Sequence, residues 1–284
     1  PTWFYLNDNN GGIKTLASSD YVTYAHQHNV EVWALVSNLE NPDVDTTQVL
    51  THTSTRENLT NNLISAAIRY DLDGINVDME ALSTDAGEGY IQFIRELSIK
   101  CKKNDLVLSI DNYVPSSYTA FYNRKEQSCF ADYIVIMGYD EHYKGSEEAG
   151  SVASIDFVKN GIKDTLKEVS AEQTILALPF YTRLWAETTG EDKKVTVTSE
   201  VVKMNNQQTV VNNSGASPKW SDKYGQYYIE YQKDGKTYKM WMEESKSIEQ
   251  KLKAAKKAKI AGTSVWKLGM EDPTVWDTII KYVN

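Results

Sequence analysis

The sequence predicts an α/β protein, a TIM (β/α)8 barrel with a small inserted α+β subdomain before its last strand and with its first strand missing from this chain. Three observations lead there. Apolar, β-rich runs alternate with amphipathic helical stretches, the order that parallel strands with covering helices produce. The chain has 284 residues and is 41% hydrophobic, an ordinary globular composition, and barrels of this kind reach that size as one domain. One strand-like run, "GINVDME", carries Asn76, Asp78 and Glu80 where buried apolar residues would be expected.

Seven runs read as barrel strands: 2–7 ("TWFYLN"), 30–37 ("VEVWALVS"), 74–80 ("GINVDME"), 105–114 ("DLVLSIDNYV"), 133–139 ("YIVIMGY"), 174–181 ("TILALPFY") and 263–269 ("TSVWKLG"). Helical spacing joins Leu59, Leu63, Ala66, Ala67 and Tyr70, then Ile91, Ile94, Leu97 and Cys101, then Phe157, Gly161, Ile162 and Leu166. Ser18 or Ser19 and Thr55 are candidate N-caps. Pro273 opens a final helix through Val275, Ile279 and Tyr282. Seven strands are one short of a closed barrel. The chain begins inside an apolar run, so the expectation is that the first strand precedes Pro1; an open sheet is the rival reading. Between Tyr181 and the helix "SIEQKLKAAKKA" the residues read β, with Asp234-Gly235 suited to a tight hairpin turn. The expected division is therefore a barrel over 1–181 and 246–284 and an inserted β-rich subdomain over 182–245. The insert would wall one side of a cleft, unless it is a solvated decoration.

Composition excludes some functions. A formal charge of −9 leaves no basic footprint for nucleic acid or an anionic membrane. No run approaches the roughly 18 apolar residues of a membrane span, and no basic-then-apolar leader opens the chain. Cys101 and Cys129, paired or free, do not have metal-ligand spacing.

Side chains alternate along a strand, so Ile75, Val77 and Met79 share one face and Asn76, Asp78 and Glu80 the other. Inward carboxylates this close are costly to bury, and their mutual repulsion pushes a pKa upward, which is what a general acid needs. A hydrogen-bonded polar layer or a metal site is the bland alternative.

With those residues in place, "LDGINVDME" resembles the active-site strand of glycoside hydrolase family 18, the chitinases and related N-acetylglucosaminidases, whose motif runs Asp-Gly-x-Asp-x-Asp-x-Glu. Asp73, Gly74, Asp78 and Glu80 fit it. Asn76 departs from it where many members carry a third acidic residue that can share a proton with the middle one. "VIMGYDEHY" resembles the family's Met-x-Tyr-Asp strand end, and Trp266 the tryptophan of its last strand. The resemblance implies Glu80, Asp78 and Tyr139 as catalytic residues. Glu80 would be the acid and base, Asp78 would orient the substrate acetamide, and Tyr139 would bond to it. It implies substrate contacts for Asn76, Met137 and Asp140, and makes Trp266 a hydrophobic floor followed by a non-proline cis peptide. Tyr181 and Arg183 in "ALPFYTR" and Asn112 in "SIDNYVP" are further candidate substrate residues. His142 receives no role. No metal or organic cofactor is required.

One acid without a second nucleophile fits the substrate-assisted exception among retaining glycosidases. Beyond the motifs, "VWALVSN", "MGYDEHYKGSEEAGSVAS" and "VWKLGMEDPTVW" are similar to the bacterial wall-lytic branch, including spore-cortex hydrolases often joined to LysM modules. The expected substrate is a GlcNAc-containing polysaccharide, peptidoglycan before chitin. The expected location is extracellular, at the cell wall or spore, with any signal outside this chain. A non-catalytic, lectin-like member of the family is the alternative of another class.

Overall fold

The computed structural model describes residues 1–282. The chain forms two compact units, Pro1–Val135 with Glu168–Gln173, and Ile136–Lys167 with Thr174 onward.

In the first unit the elements are β1 (Thr2–Leu6), β2 (Ile13–Thr15), α1 (Ser19–Gln27), β3 (Trp33–Ser37), α2 (Thr46–Thr51), α3 (Thr53–Arg69), β4 (Gly74–Asp78), α4 (Gly87–Lys103), β5 (Val107–Tyr113) and α5 (Arg124–Gln127). The next strand, β6 (Tyr133–Met137), begins here and ends in the second unit. β1, β3, β4 and β5 pair in parallel in that order, and β2 folds back antiparallel on β1. That hairpin was not expected from the sequence, because β2 has only three residues. Ser18 caps α1 by accepting from the Tyr21 N–H, as the sequence indicates. Thr55 is not a cap. It lies inside α3 and its hydroxyl donates to the Val49 carbonyl at 2.7 Å, while Asp45 caps α2. Leu59, Leu63, Ile75, Val77, Ile94, Leu97 and Ile110 are all fully buried.

The second unit continues with α6 (Ile155–Thr165), β7 (Thr174–Pro179), β8 (Tyr181–Thr189), β9 (Val195–Lys203), α7 (Gln207–Ser214), β10 (Lys219–Ser221), β11 (Gln226–Lys233), β12 (Lys236–Trp241), α8 (Ser245–Ala258), β13 (Gly262–Trp266) and α9 (Val275–Ile279). β7 pairs in parallel with β13. Their core gathers Val158, Ile162, Leu176, Leu178, Phe180, Ile248 and Leu252. The run expected as one strand to residue 181 ends at Pro179, and Tyr181 opens a different strand. Proline has no N–H to give a ladder. β8 to β12 form an antiparallel sheet in the order β10-β11-β12-β8-β9. Lys233 pairs with Lys236 across Asp234 and Gly235, both at positive φ, the left-handed geometry of a two-residue hairpin turn. Cys101 is buried and Cys129 exposed, both free thiols, and burial pushes the Cys101 thiol up to about 12. No helix of the described residues is long and apolar enough to cross a membrane.

Candidate active site

The acidic residues stand on β4 in the way alternation requires. Ile75, Val77 and Met79 are at most 1% exposed, while Asn76, Asp78 and Glu80 are each partly exposed on the other face. Gly74 admits no side chain, since a Cβ would lie 2.8 Å from both the Trp33 ring and the Val107 carbonyl oxygen. The strand is thereby seated closely between β3 and β5, with Ser37 level with Asp78 and Ser109 level with Asn76. Asp73 serves the strand's start: its carboxylate accepts from the Val32 N–H at 2.7 Å and bonds His26 Nε2 at 2.9 Å.

Glu80 lies just past the ladder and is held by side chains. Its N–H donates to Asn38 Oδ1 at 2.8 Å, and its carbonyl accepts from Asn38 Nδ2 at 3.0 Å. The Tyr113 and Tyr122 hydroxyls accept the N–H groups of Ala81 and Leu82, each at 3.2 Å. These bonds fix the turn in which Ala81 takes φ +51°, a left-handed conformation uncommon outside glycine. The Tyr113 phenol also bonds the Glu80 carboxylate, and burial together with that carboxylate holds its pKa far above the ordinary value. Burial pushes Tyr122 up to about 12.

A residue that the sequence reading passed over completes this cluster. Asp111 of β5 lies beside Asn76, whose amide donates to Asp111 Oδ1 at 3.1 Å and to Ser109 Oγ at 2.8 Å. Burial, then the Asp111 and Glu80 charges, raise Asp78 well above the carboxylate range. Burial likewise raises Asp111, against the lowering effect of the Asn76 amide. Asn112, the expected contact, is not brought to this group. It is 1% exposed and exchanges two hydrogen bonds with Gln127, at 2.7 and 3.1 Å, on the opposite face. Alternation in "LSIDNY" carries the signal: buried Leu108 and Ile110 share their face with Asn112 and leave Asp111 on the other.

In the second unit, Met137 is buried at the end of β6 and Tyr139 follows it, packed against the core under β7. The Tyr139 ring meets Tyr181 edge-on at 6.1 Å. The Tyr181 hydroxyl donates to Asp140 Oδ1 at 2.6 Å, and burial plus that carboxylate hold the phenol far above its usual pKa. Tyr139, Asp140 and Tyr181 are thus brought together. Arg183 is buried, bonds Ser199 Oγ at 3.1 Å and leaves its Nε without a partner. Trp266 ends β13, its carbonyl accepts from Phe180 N at 2.8 Å, and the Trp266–Lys267 peptide is cis, as the resemblance implies. His142 bonds the Ser151 carbonyl at 2.8 Å and lies 2.4 Å from where a Cβ on Gly150 would stand, which makes it a packing residue of its loop. No group of three or more His, Cys, Asp and Glu among the described residues could hold a metal ion.

Comparison with known proteins agrees with this strand chemistry. Residues 6–271 match Glycosyl hydrolases family 18. The glycosylase YvbX of Bacillus subtilis is 28% identical over 96% of this chain and 81% of its own length. The cortical fragment-lytic enzyme of Bacillus subtilis is 24% identical over 94% of this chain, which spans 63% of that protein. Among solved structures, a chitinase from Chromobacterium violaceum superposes with a TM-score of 0.88 at 21% identity, over 99% of this chain and 90% of that one. That likeness shows a fold of the TIM-barrel type with mixed α/β content.

Proposed function

The chain belongs to glycosyl hydrolase family 18, and on that premise we propose that it is a retaining enzyme that cleaves β-1,4 bonds after N-acetylglucosamine with the help of the substrate's own acetamide. The supporting observation is Asp78 at the end of β4 with Glu80 two residues beyond it, and with the Asp78 carboxyl raised and faced by a second carboxyl. An environment that separates the titration of neighbouring carboxyls is what assigns them different roles.

In this reading Glu80 protonates the glycosidic oxygen as that bond breaks. The acetamide carbonyl oxygen attacks the anomeric carbon, giving an oxazolinium ion. Asp78 orients the acetamide and balances the developing positive charge. Tyr139 donates to the acetamide oxygen, a role that rests on its motif. Glu80, now a carboxylate, then takes a proton from the water that opens the oxazolinium, and the configuration is retained. Asp140 contacts the sugar in the cleavage subsite and Trp266 lies beneath it.

The substrate we favour is bacterial peptidoglycan or spore cortex, because relatives across the chain's length include cortical fragment-lytic enzymes. The protein would then act at the wall or spore, outside the membrane. Chitin oligomers are the second reading, favoured by the chitinase likeness. Mass spectrometry of products decides between them. Fragments with reducing-end GlcNAc from peptidoglycan are expected; release from chitin oligomers alone would assign the second reading. Glu80→Gln should lower turnover at least ~100-fold, the size of general acid catalysis, and still bind sugar. A wild type as inactive as that variant would sink the enzymatic reading and leave a sugar-binding protein.

A further inference from the structure

Asn76 leaves the motif one acidic residue short, and the neighbouring strand supplies a carboxyl within hydrogen-bond distance of it. Pairing of β4 with β5 runs Gly74 to Val107, Ile75 to Leu108, Asn76 to Ser109 and Val77 to Ile110. Continued by one residue, that register sets Asp78 level with Asp111 on one face. Like charges directly opposed across strands repel, and two carboxyls that share such a site do not both ionise easily.

The hydrogen bonds distinguish the two groups. Asp111 Oδ1 receives the Asn76 amide at 3.1 Å. Asp78 Oδ1 is buried with no partner. A donor favours the ionised form of the carboxyl it serves, and burial without a donor favours the neutral one. The other titratable groups acting on the pair are the carboxyls of Glu80 and Glu40 and the phenols of Tyr122 and Tyr90. None of these is a cation.

We propose that Asp111 is the resting seat of the site's negative charge and a positioning residue for Asp78, which it keeps protonated until substrate arrives. A carboxyl on β5 thereby takes the part of the acidic residue absent at position 76. As positive charge develops on the sugar, the proton leaves Asp78 for Asp111 and the negative charge passes from Asp111 to Asp78. The number of protons on the pair does not change. This inference rests on the glycosidase reading above for its catalytic consequence, though not for the seat of the charge.

Two measurements test it together: pH–rate profiles on the active substrate, and infrared titration of protonated carboxyl bands in the substrate-free protein. Asp111→Asn removes the like charge, so Asp78 should ionise at lower pH. The acid limb of kcat/KM should then move down by about one unit, and kcat should fall roughly tenfold or more because the charge on Asp78 is then present before substrate arrives and no longer forms only in the transition state. The infrared band of the protonated carboxyl, present at neutral pH in the wild type, should disappear at correspondingly lower pH. Moving the acid back, Asn76→Asp with Asp111→Asn, should restore both limb and rate. An unmoved limb and band in Asp111→Asn, or no rescue by the double variant, would overturn the proposal. Should Asp111→Asn fail to fold, Asn76→Asp alone decides: a third carboxyl should move the limb and band upward, and no movement would refute the coupling. A wild type without turnover would refute the glycosidase reading, and the infrared titration would still locate the charge.

Discussion

Glu80 sits two residues beyond Asp78, the last residue of β4, so its place depends on side chains that grip the backbone. Asn38 alone makes two of these bonds. Removing such a partner from a part-buried site costs roughly 1–3 kcal/mol, and 1.4 kcal/mol misplaced from the transition state is about tenfold in rate. Asn38→Ala is therefore expected to lower kcat about tenfold with little change in KM and an intact circular dichroism spectrum. Steady-state kinetics with no loss of kcat would mean that Tyr113 and Tyr122 suffice to hold the turn. At this scale the legible residues were those whose chemistry shows in a motif: Asp78, Glu80, Tyr139 and Asp140 stand where alternation and strand ends put them. Asn38 and Asp111 were not read, since their relevance arises only once β3 and β5 lie beside β4. Asn112 of "SIDNYVP" was the candidate on this strand, although the period of two along "LSIDNY" puts Asp111, and not Asn112, on the face of the acidic group.

Elements were more legible than their ends. All seven expected strands exist, because each is an apolar run with a clear flank; β2 was missed and the break at Pro179 misplaced, because three residues and one proline are weak local signals. The buried polar network under α8 was invisible too, since its members come from three separate segments. Lys251 is 1% exposed and reaches both oxygens of fully buried Glu243 at 2.8 Å. Gln226 of β11 and Ser247 of α8 bond the same carboxylate at 2.7 Å each. Burial raises the Glu243 pKa and Lys251 opposes that rise. Lys251→Met would strand the carboxylate, and breaking such a buried pair costs about 3–5 kcal/mol. Denaturant unfolding should show that loss, while Glu243→Gln with Lys251→Met should recover most of it. Equal stability of the single and double variants would show that the Gln226 and Ser247 bonds alone satisfy Glu243.

For the whole molecule, titrating groups pull stability in two directions as pH changes. Asp164, Glu249 and Asp272 are held below their usual pKa, chiefly by side-chain hydrogen bonds from Lys167, Lys253 and Thr274. Such groups contribute stability that is present above the ordinary carboxylate pKa and is lost as pH falls through their lowered values. The Asp164–Lys167 and Glu249–Lys253 pairs are ionic and solvent-accessible, so salt should weaken their contribution. Asp78 and Asp111 act in the opposite sense. Their folded pKa values are raised, so above the ordinary carboxylate pKa the folded state binds more protons than the unfolded one, and stability falls as pH rises toward those values. His26 adds to that fall: the Asp73 hydrogen bond raises it, giving stability that is full below its ordinary pKa of 6.5 and is lost as pH rises through the folded value. The expected optimum therefore lies on the acidic side of neutrality, above the ordinary carboxylate range and below the range of the two raised acids. Melting temperatures between pH 4 and pH 9 should peak in that interval. Asp111→Asn should flatten the alkaline slope and raise the melting temperature at pH 8, which would mark the acidic pair as a feature kept at the expense of stability. A wild type most stable at pH 8, or an alkaline slope untouched by that substitution, would refute the assignment of two raised carboxyls to this strand pair.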